Sequence, residues 1–287
     1  MLEPINQIQR KLHRMTYRVF STPKELTRLR GSDGAMGAAM ADAMRGSMQR
    51  DLTPEERRCV EEIEGLRGEM LASSQPIEIL HFGSGGQQGT AEEMIAGKVV
   101  RTQLGTVCRG ASKFGNEALL MMKLVRALRP EVILELGTCL GISAAYQAAA
   151  LKMNGLGRLL TLEGAPALAA IAEGNLRRLN LSQHAEVIVG RFAETLPQVL
   201  QRSGRIDLAF IDGHHDYAAT LEYFEQIKPQ LRPTSVVIFD DIAWSAGMAA
   251  AWKQIVADPD VRIAVDLFSM GLCTLTGPKQ NFRIAVA

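Results

Sequence analysis

Two short stretches hold the side chains best suited to chemistry. FIDGHHDY, residues 210–217, runs from an apolar strand end into Asp212, Gly213 and two adjacent histidines, and VVIFDDIAW, residues 236–244, ends a second apolar run in Asp240 and Asp241. Carboxylates accept hydrogen bonds and hold cations, and imidazole is the side chain that ordinarily titrates nearest neutrality. Acids and imidazoles presented from two strand ends point to one site.

The elements that must position them come from the alternation around them. From residue 132 onward short apolar strands and helices take turns: VILEL (132–136), a helix near 142–152, LLTLE (159–163), a helix near 166–179, AEVIVG (185–190), a helix near 194–201, IDLAFID (206–212), a helix near 217–227 and VVIFDD (236–241). Strands each followed by a helix predict a parallel sheet covered on both faces, an α/β doubly wound fold. VRIAVDLF and GLCTLT, separated only by Ser269 and Met270, read as an antiparallel hairpin at one sheet edge, for seven strands in all.

Ahead of this domain, expected at 111–287, residues 1–110 read as a mainly helical extension. Ile5, Ile8, Leu12, Met15 and Val19 recur in steps of three and four, with Arg10, Lys11, Arg14 and Arg18 largely off the stripe. This basic amphipathic helix is expected to pack on its own domain first, on a twin subunit in a homodimer second and on an anionic surface third. Met36, Met40, Met44 and Met48 mark a packing face, and Thr53-Pro54-Glu55-Glu56 opens a helix with a capping box. A further helix over Ser112–Arg129 stops at Pro130. The GSGGQQGT run at 83–90 lacks the lysine ending of a phosphate loop and reads as a surface loop.

Composition narrows the classes. The chain has 287 residues, 47% hydrophobic and 22% charged, enough to bury a large core as a soluble globular protein. Its net charge of +1 argues against an extended nucleic-acid surface, although residues 1–30 carry seven Lys or Arg against Glu3 and Glu25. No apolar run approaches the roughly 18 to 20 residues of a membrane span, and the first residues lack the apolar core of a secretory signal, so a cytoplasmic location is expected. Cys59, Cys108, Cys139 and Cys273 are scattered and imply neither a disulfide framework nor a zinc knuckle.

In such sheets the ligand lies beyond the carboxyl ends of the strands. ELGTCLG, residues 135–141, sits at the first of these ends with its glycines four apart, unlike the G-x-G-x-x-G turn that seats a pyrophosphate, and a dinucleotide is disfavoured. The second strand closes with Glu163, placed to accept hydrogen bonds from the ribose hydroxyls of a nucleoside.

ELGTCLGIS, TLEG, GRFAETLP, FIDGHHDY and FDDIAW, in that order, resemble the class I S-adenosylmethionine-dependent methyltransferases of the catechol and caffeoyl-CoA O-methyltransferase-like group, over about Ser112–Thr276. The resemblance implies a Rossmann-like fold and S-adenosylmethionine as methyl donor. Glu135, Gly137, Gly141 and Ser143 would belong to the cofactor loop, with Glu163 on the ribose, Phe192 and Ala193 flanking the adenine, and Asp212 adjoining both cofactor and metal. It also implies that Asp212, Asp240 and Asp241 hold a divalent cation, Mg²⁺ or Mn²⁺, beside a small hydroxylated acceptor. Asp241 stands where these relatives carry Asn, and His215 where they carry a lysine that takes the hydroxyl proton. A histidine keeps that role.

Each acid has a plainer reading. Asp212 would serve as a strand-end cap, Asp216 as the N-cap of the next helix, and Asp240 or Asp241 as a strand terminator. Three acids with His215 on one edge favour a catalytic site, while His214 is evenly balanced. Trp244 and Trp252 read as packing residues, with Trp244 near enough to wall a pocket. The leading expectation is a metal-assisted O-methyltransferase. Behind it stand a metal-independent enzyme of the same fold with His215 as sole base, acting on a small molecule or a modified tRNA base, and a non-catalytic nucleoside-binding protein.

Overall fold

The computed structural model describes residues 14–82 and 97–286; the glycine run at 83–90 and positions Ile5, Ile8 and Leu12 of the amphipathic stripe lie outside the described residues. After a helical stretch at 14–20 come helices α1 (Thr22–Arg30), α2 (Gly34–Gln49) and α3 (Pro54–Ala72). Helix α3 begins where the sequence places its cap. The Thr53 hydroxyl accepts from the Glu56 N–H at 3.2 Å, and the Glu56 carboxylate accepts from the Thr53 N–H at 2.9 Å. A two-stranded antiparallel hairpin follows, β1 (Pro76–His81) and β2 (Lys98–Gln103), then α4 (Leu104–Ala111) and α5 (Gly115–Leu128). A helical extension did not anticipate this hairpin: only Ile77 and Ile79 are buried along β1, too short an alternation to stand out.

The main sheet is built from β3 (Val132–Leu136), β4 (Arg158–Glu163), β5 (Ala185–Val189), β6 (Ile206–Ile211), β7 (Leu231–Phe239), β8 (Ile263–Asp266), β9 (Gly271–Thr274) and β10 (Gln280–Arg283), in spatial order β10-β8-β9-β7-β6-β3-β4-β5. Strands β3 to β7 are parallel, β9 is antiparallel to both of its neighbours, and β10 adds an eighth strand parallel to β8. The eighth exceeds the expected seven because QNFR buries only Phe282 and carries no apolar run. The connecting helices are α6 (Ile142–Asn154), α7 (Pro166–Arg178), α8 (Phe192–Ser203), α9 (Tyr217–Ile227) and α10 (Ala246–Ala257).

Alternation along each strand divides the core. Ile133, Leu159, Leu208, Phe210 and Ile238 join one apolar cluster, and Leu134, Leu160, Ala209, Ile211 and Val237 join the other. Helices α5, α6 and α7 cover the first face; α8, α9 and α10 cover the second. The N-terminal helices share the first cluster through Leu29, Met40, Met44, Ile63 and Met70, so the extension is a further layer on the sheet domain. The methionine stripe packs as expected, with Met40 and Met44 buried and Met36 and Met48 half-buried against the same core.

Residues 14–20 are helical, as their periodicity predicts, but the described part docks in the opposite sense from the leading expectation. Arg14 donates to the Ser269 hydroxyl at 3.1 Å and lies over the Phe268 ring, and Arg18 donates to the Met48 carbonyl at 3.2 Å. Met15 and Val19 are exposed. Among the described residues it is the guanidinium groups that find carbonyl, hydroxyl and aromatic partners on the domain surface.

Candidate active site

Strand register creates the site. Leu136 pairs with Leu162 on one side and Ile211 on the other, and Ile211 pairs with Phe239, so the next residues of four adjacent strands form one row: Gly137, Glu163, Asp212 and Asp240. The row opens into a cavity of about 620 Å³, whose walls include all four residues together with Cys139, Phe192, Ala193, His214, His215 and Asp241. From the N-terminal layer come Phe82, Lys113, Phe114 and Glu117, and Trp244 forms part of the rim.

One half of the cavity is made chiefly by backbone. Gly137 has φ +104°, and a Cβ there would lie 2.3 Å from the Asp212 carbonyl oxygen, so only glycine lets the two strand ends meet. The Gly137 and Thr138 N–H groups both donate to the Leu162 carbonyl, and the Glu163 carboxylate accepts from Cys139 N–H at 2.7 Å and Ala165 N–H at 2.8 Å. Burial pushes the Glu163 carboxyl above its ordinary range, opposed by these backbone donors. The Phe192 ring stands edge-on to His214 and Tyr223, and the Tyr223 hydroxyl meets His214 Nδ1 at 2.5 Å. His214 is thereby turned toward the aromatic wall, with burial lowering its basicity.

Three other sequence-nominated residues lie off the cavity wall. Glu135 is fully buried in β3, accepting from the Thr161 hydroxyl at 2.6 Å and Gln147 Nε2 at 2.7 Å; burial pushes its carboxyl up to about 7 against these hydrogen bonds and one from Ser143. Ser143 is buried in the first turn of α6, and Gly141 is the N-cap of that helix, with φ +78°.

The other half is made by side chains. His215 lies between two carboxylates, with Nε2 3.6 Å from Asp212 Oδ1 and Nδ1 3.9 Å from Asp241 Oδ2. His214, His215 and Asp241 all adopt left-handed backbone, at φ +62°, +46° and +52°, a conformation that non-glycine residues hold at a cost and that clusters at functional sites. Burial, then repulsion from Asp240, pushes the Asp212 carboxyl well above its usual range. Burial and Asp240 also raise Asp241, relieved by His215 and Lys113. Into this cluster comes Lys113, whose Nζ is 2.5 Å from Asp240 Oδ2 and 3.6 Å from Glu117 Oε2. Burial alone would lower the ammonium; Asp240, Asp212 and Glu117 overcome that and hold it above lysine's ordinary range.

A methyltransferase-domain family matches residues 134–242. Catechol O-methyltransferases from Niastella koreensis and Mycobacterium tuberculosis are 34% and 32% identical to the chain over 128 and 127 residues, 44% of this chain in each case and 56% and 55% of theirs. The chain therefore spans about half the length of these curated relatives. The solved structure of an O-methyltransferase from Bacillus cereus in complex with SAH superimposes with a TM-score of 0.51 at 26% identity, covering 57% of this chain and 83% of that one. Over this matched segment the chain is similar to class I S-adenosylmethionine-dependent methyltransferases.

The matched segment contains the wall residues carried by β3 to β7, while Phe82, Lys113 and Glu117 lie outside it. Sequence reasoning missed those three. Lys113 lies between α4 and α5, where a lone lysine ordinarily points to solvent, so no spacing marks it. The resemblance also implies a divalent cation among Asp212, Asp240 and Asp241. The three carboxylates do line one cavity, but Asp240 is paired with the Lys113 ammonium while Asp212 and Asp241 flank His215, and among the described residues no three His, Cys, Asp or Glu side chains are arranged to hold a metal ion. As arranged, this donor set does not fit a resident divalent cation.

Proposed function

We propose that this methyltransferase transfers a methyl group from S-adenosylmethionine to a hydroxyl oxygen of a small acceptor, phenolic or vicinal-diol in type, with His215 as general base. The observation that carries this reading is the row Gly137, Glu163, Asp212 and Asp240 on one cavity, with His215 within 4 Å of two of the acids. Glu163 spends one lone pair of each oxygen on backbone N–H groups and keeps others for the ribose hydroxyls. Phe192 supplies an apolar wall for the adenine, and Gly137, on the cavity wall, lets the β3 and β6 ends close together beneath the methionine chain. When bound, S-adenosylmethionine supplies an electrophilic methyl: the acceptor oxygen forms the new C–O bond while the C–S bond breaks and its electron pair stays on sulfur.

The chain's own groups do the rest. His215 takes the hydroxyl proton, and Asp212 and Asp241 orient the ring and offset the charge it gains. The cavity walls hold donor and acceptor together, the largest saving available to a two-substrate reaction. Phe114 and Trp244 are exposed aromatic walls suited to a flat ring, and the catechol names of the two relatives favour the same acceptor class.

Calorimetry with S-adenosylmethionine, S-adenosylhomocysteine and NAD, followed by mass spectrometry of catechol and phenol mixtures, tests the reading. Binding of the first two and methylated product are expected. Binding of NAD alone, or cofactor binding without any methylated hydroxyl across the panel, would overturn it.

A further inference from the structure

We propose that the Lys113 ammonium is the resident cation of this site, standing where a divalent metal would otherwise gather the carboxylates, and that it holds the acceptor oxygen. Lys113 is mostly buried, its side chain 13% exposed, and lines the cavity with its charge against Asp240 Oδ2 at 2.5 Å. Asp240 itself is 3% exposed at the side chain. A buried carboxylate demands a compensating charge, and this ammonium supplies it.

The lysine is held in place from behind. Glu117, 3.6 Å from Nζ, accepts from the Ser269 hydroxyl, and Ser269 in turn accepts from Arg14 at 3.1 Å. That chain of contacts ties the lysine to the β8–β9 turn and to the helical stretch at 14–20. An ammonium has three N–H donors: Asp240 takes one, Glu117 lies on the side of a second, and one remains for an oxygen in the cavity. The other Asp240 oxygen, Oδ1, is buried and meets no partner at hydrogen-bonding geometry among the described residues, so the ammonium is the group that neutralises this carboxylate.

Ammonium and metal compete here. Lys113 already neutralises the buried Asp240 carboxylate, and a divalent cation on the same carboxylate would stand within a few ångströms of a second positive charge, a repulsion strongest where water is excluded. The cation assignment is independent of the methyl acceptor; its catalytic consequence rests on the proposed methyl transfer, in which the proton passes to His215 and Lys113 stabilises the charge developing on oxygen.

The two parts are read separately. Mn²⁺ titration of the full chain, followed by electron paramagnetic resonance of the free ion, is run on wild type, Lys113→Met and Lys113→Arg. Wild type and Lys113→Arg are expected to leave Mn²⁺ free, whereas Lys113→Met, which frees the carboxylates, gains affinity by about tenfold or more. Turnover of wild type is expected to survive EDTA. Lys113→Met should lose about 10²- to 10³-fold in kcat, the usual effect of removing one donor to a developing oxyanion. Tight stoichiometric Mn²⁺ binding by wild type, or loss of its turnover in EDTA, overturns the proposal. If thermal melting shows Lys113→Met unfolded, the wild-type Mn²⁺ and EDTA results decide alone. A wild type that binds no S-adenosylmethionine defeats the methyl-transfer reading and leaves the Mn²⁺ result to judge the cation.

Discussion

The two halves of the cavity are built by different means. The half around Gly137 and Glu163 is backbone folded on itself, with N–H groups of residues 137–139 and 165 closing onto the Leu162 carbonyl and the Glu163 carboxylate. The half around Asp240 is side chains drawn from residues 113–117, 212–215 and 240–241, held by opposed charge on strained backbone. A backbone-built site is specified by a contiguous stretch of sequence and tolerates most changes outside it. A charge-built site depends on a balance among remote residues, and removing one member leaves the others uncompensated.

The largest expected effect tests that division at its catalytic centre. His215→Ala should slow turnover by about 10²- to 10⁴-fold, the usual contribution of a positioned base, while S-adenosylmethionine affinity stays within a factor of about three. Steady-state kcat and calorimetry on the same preparation give both numbers. A parallel fall in cofactor affinity would merge the two halves into one unit.

A pH effect comes next, from beneath the backbone-built half. Glu135 is fully buried and its carboxyl is pushed up to about 7 in the folded chain, against an ordinary 4.5. The unfolded chain ionises first as pH rises, so the stabilising contribution of this group is full below about 4.5 and is lost as pH passes through about 7. Wild type should therefore lose on the order of 3 kcal/mol more stability than Glu135→Gln between these limits. Urea denaturation of both proteins at pH 4.5 and 7.5 reads the difference, in which other titrating groups cancel. Parallel pH dependences would mean that the hydrogen bonds from Thr161, Gln147 and Ser143 fully offset burial.

A smaller effect is expected at the ribose position. Glu163→Ala should cost about 1.5 to 3 kcal/mol of S-adenosylmethionine affinity, the range for hydrogen bonds to a charged acceptor. It also removes the clamp on Cys139 N–H and Ala165 N–H, so part of that loss comes from the loop. Calorimetry with S-adenosylmethionine and with free methionine separates the parts, because only the nucleoside ligand reaches the ribose position. Unchanged affinity for both would put the ribose elsewhere.

What could be read in advance follows the same division. Buried parallel strands are near-continuous apolar runs, so VILEL, LLTLE and IDLAFI announced both their presence and the edge to which Gly137, Glu163, Asp212 and Asp240 belong. Strand β10, with one buried residue in four, and hairpin β1–β2 lacked that signal. Lys113 was hidden because an isolated lysine has no periodicity, and its burial arises only when the layer before the sheet closes over Asp240. The adjacent His214 and His215 could not be told apart by type. Successive left-handed residues turn one ring toward Tyr223 and the other between Asp212 and Asp241, a difference that lies in φ rather than in residue identity.

The smallest expected effect probes the boundary between the halves, where those two histidines part. The Tyr223 hydroxyl meets His214 Nδ1 at 2.5 Å, and both rings pack against Phe192. Tyr223→Phe keeps the ring and removes only the hydroxyl, leaving a half-buried imidazole nitrogen without its partner; the expected cost is about 1 kcal/mol of stability. His214 belongs to the aromatic wall, so cofactor affinity should weaken slightly as that wall loosens, and kcat at saturating cofactor should not change. Thermal melting, calorimetry and steady-state rates on the one variant give all three quantities. A fall in kcat approaching that of His215→Ala would show that the Tyr223–His214 pair works with the charge-built half, and the boundary would then have to be redrawn through Phe192.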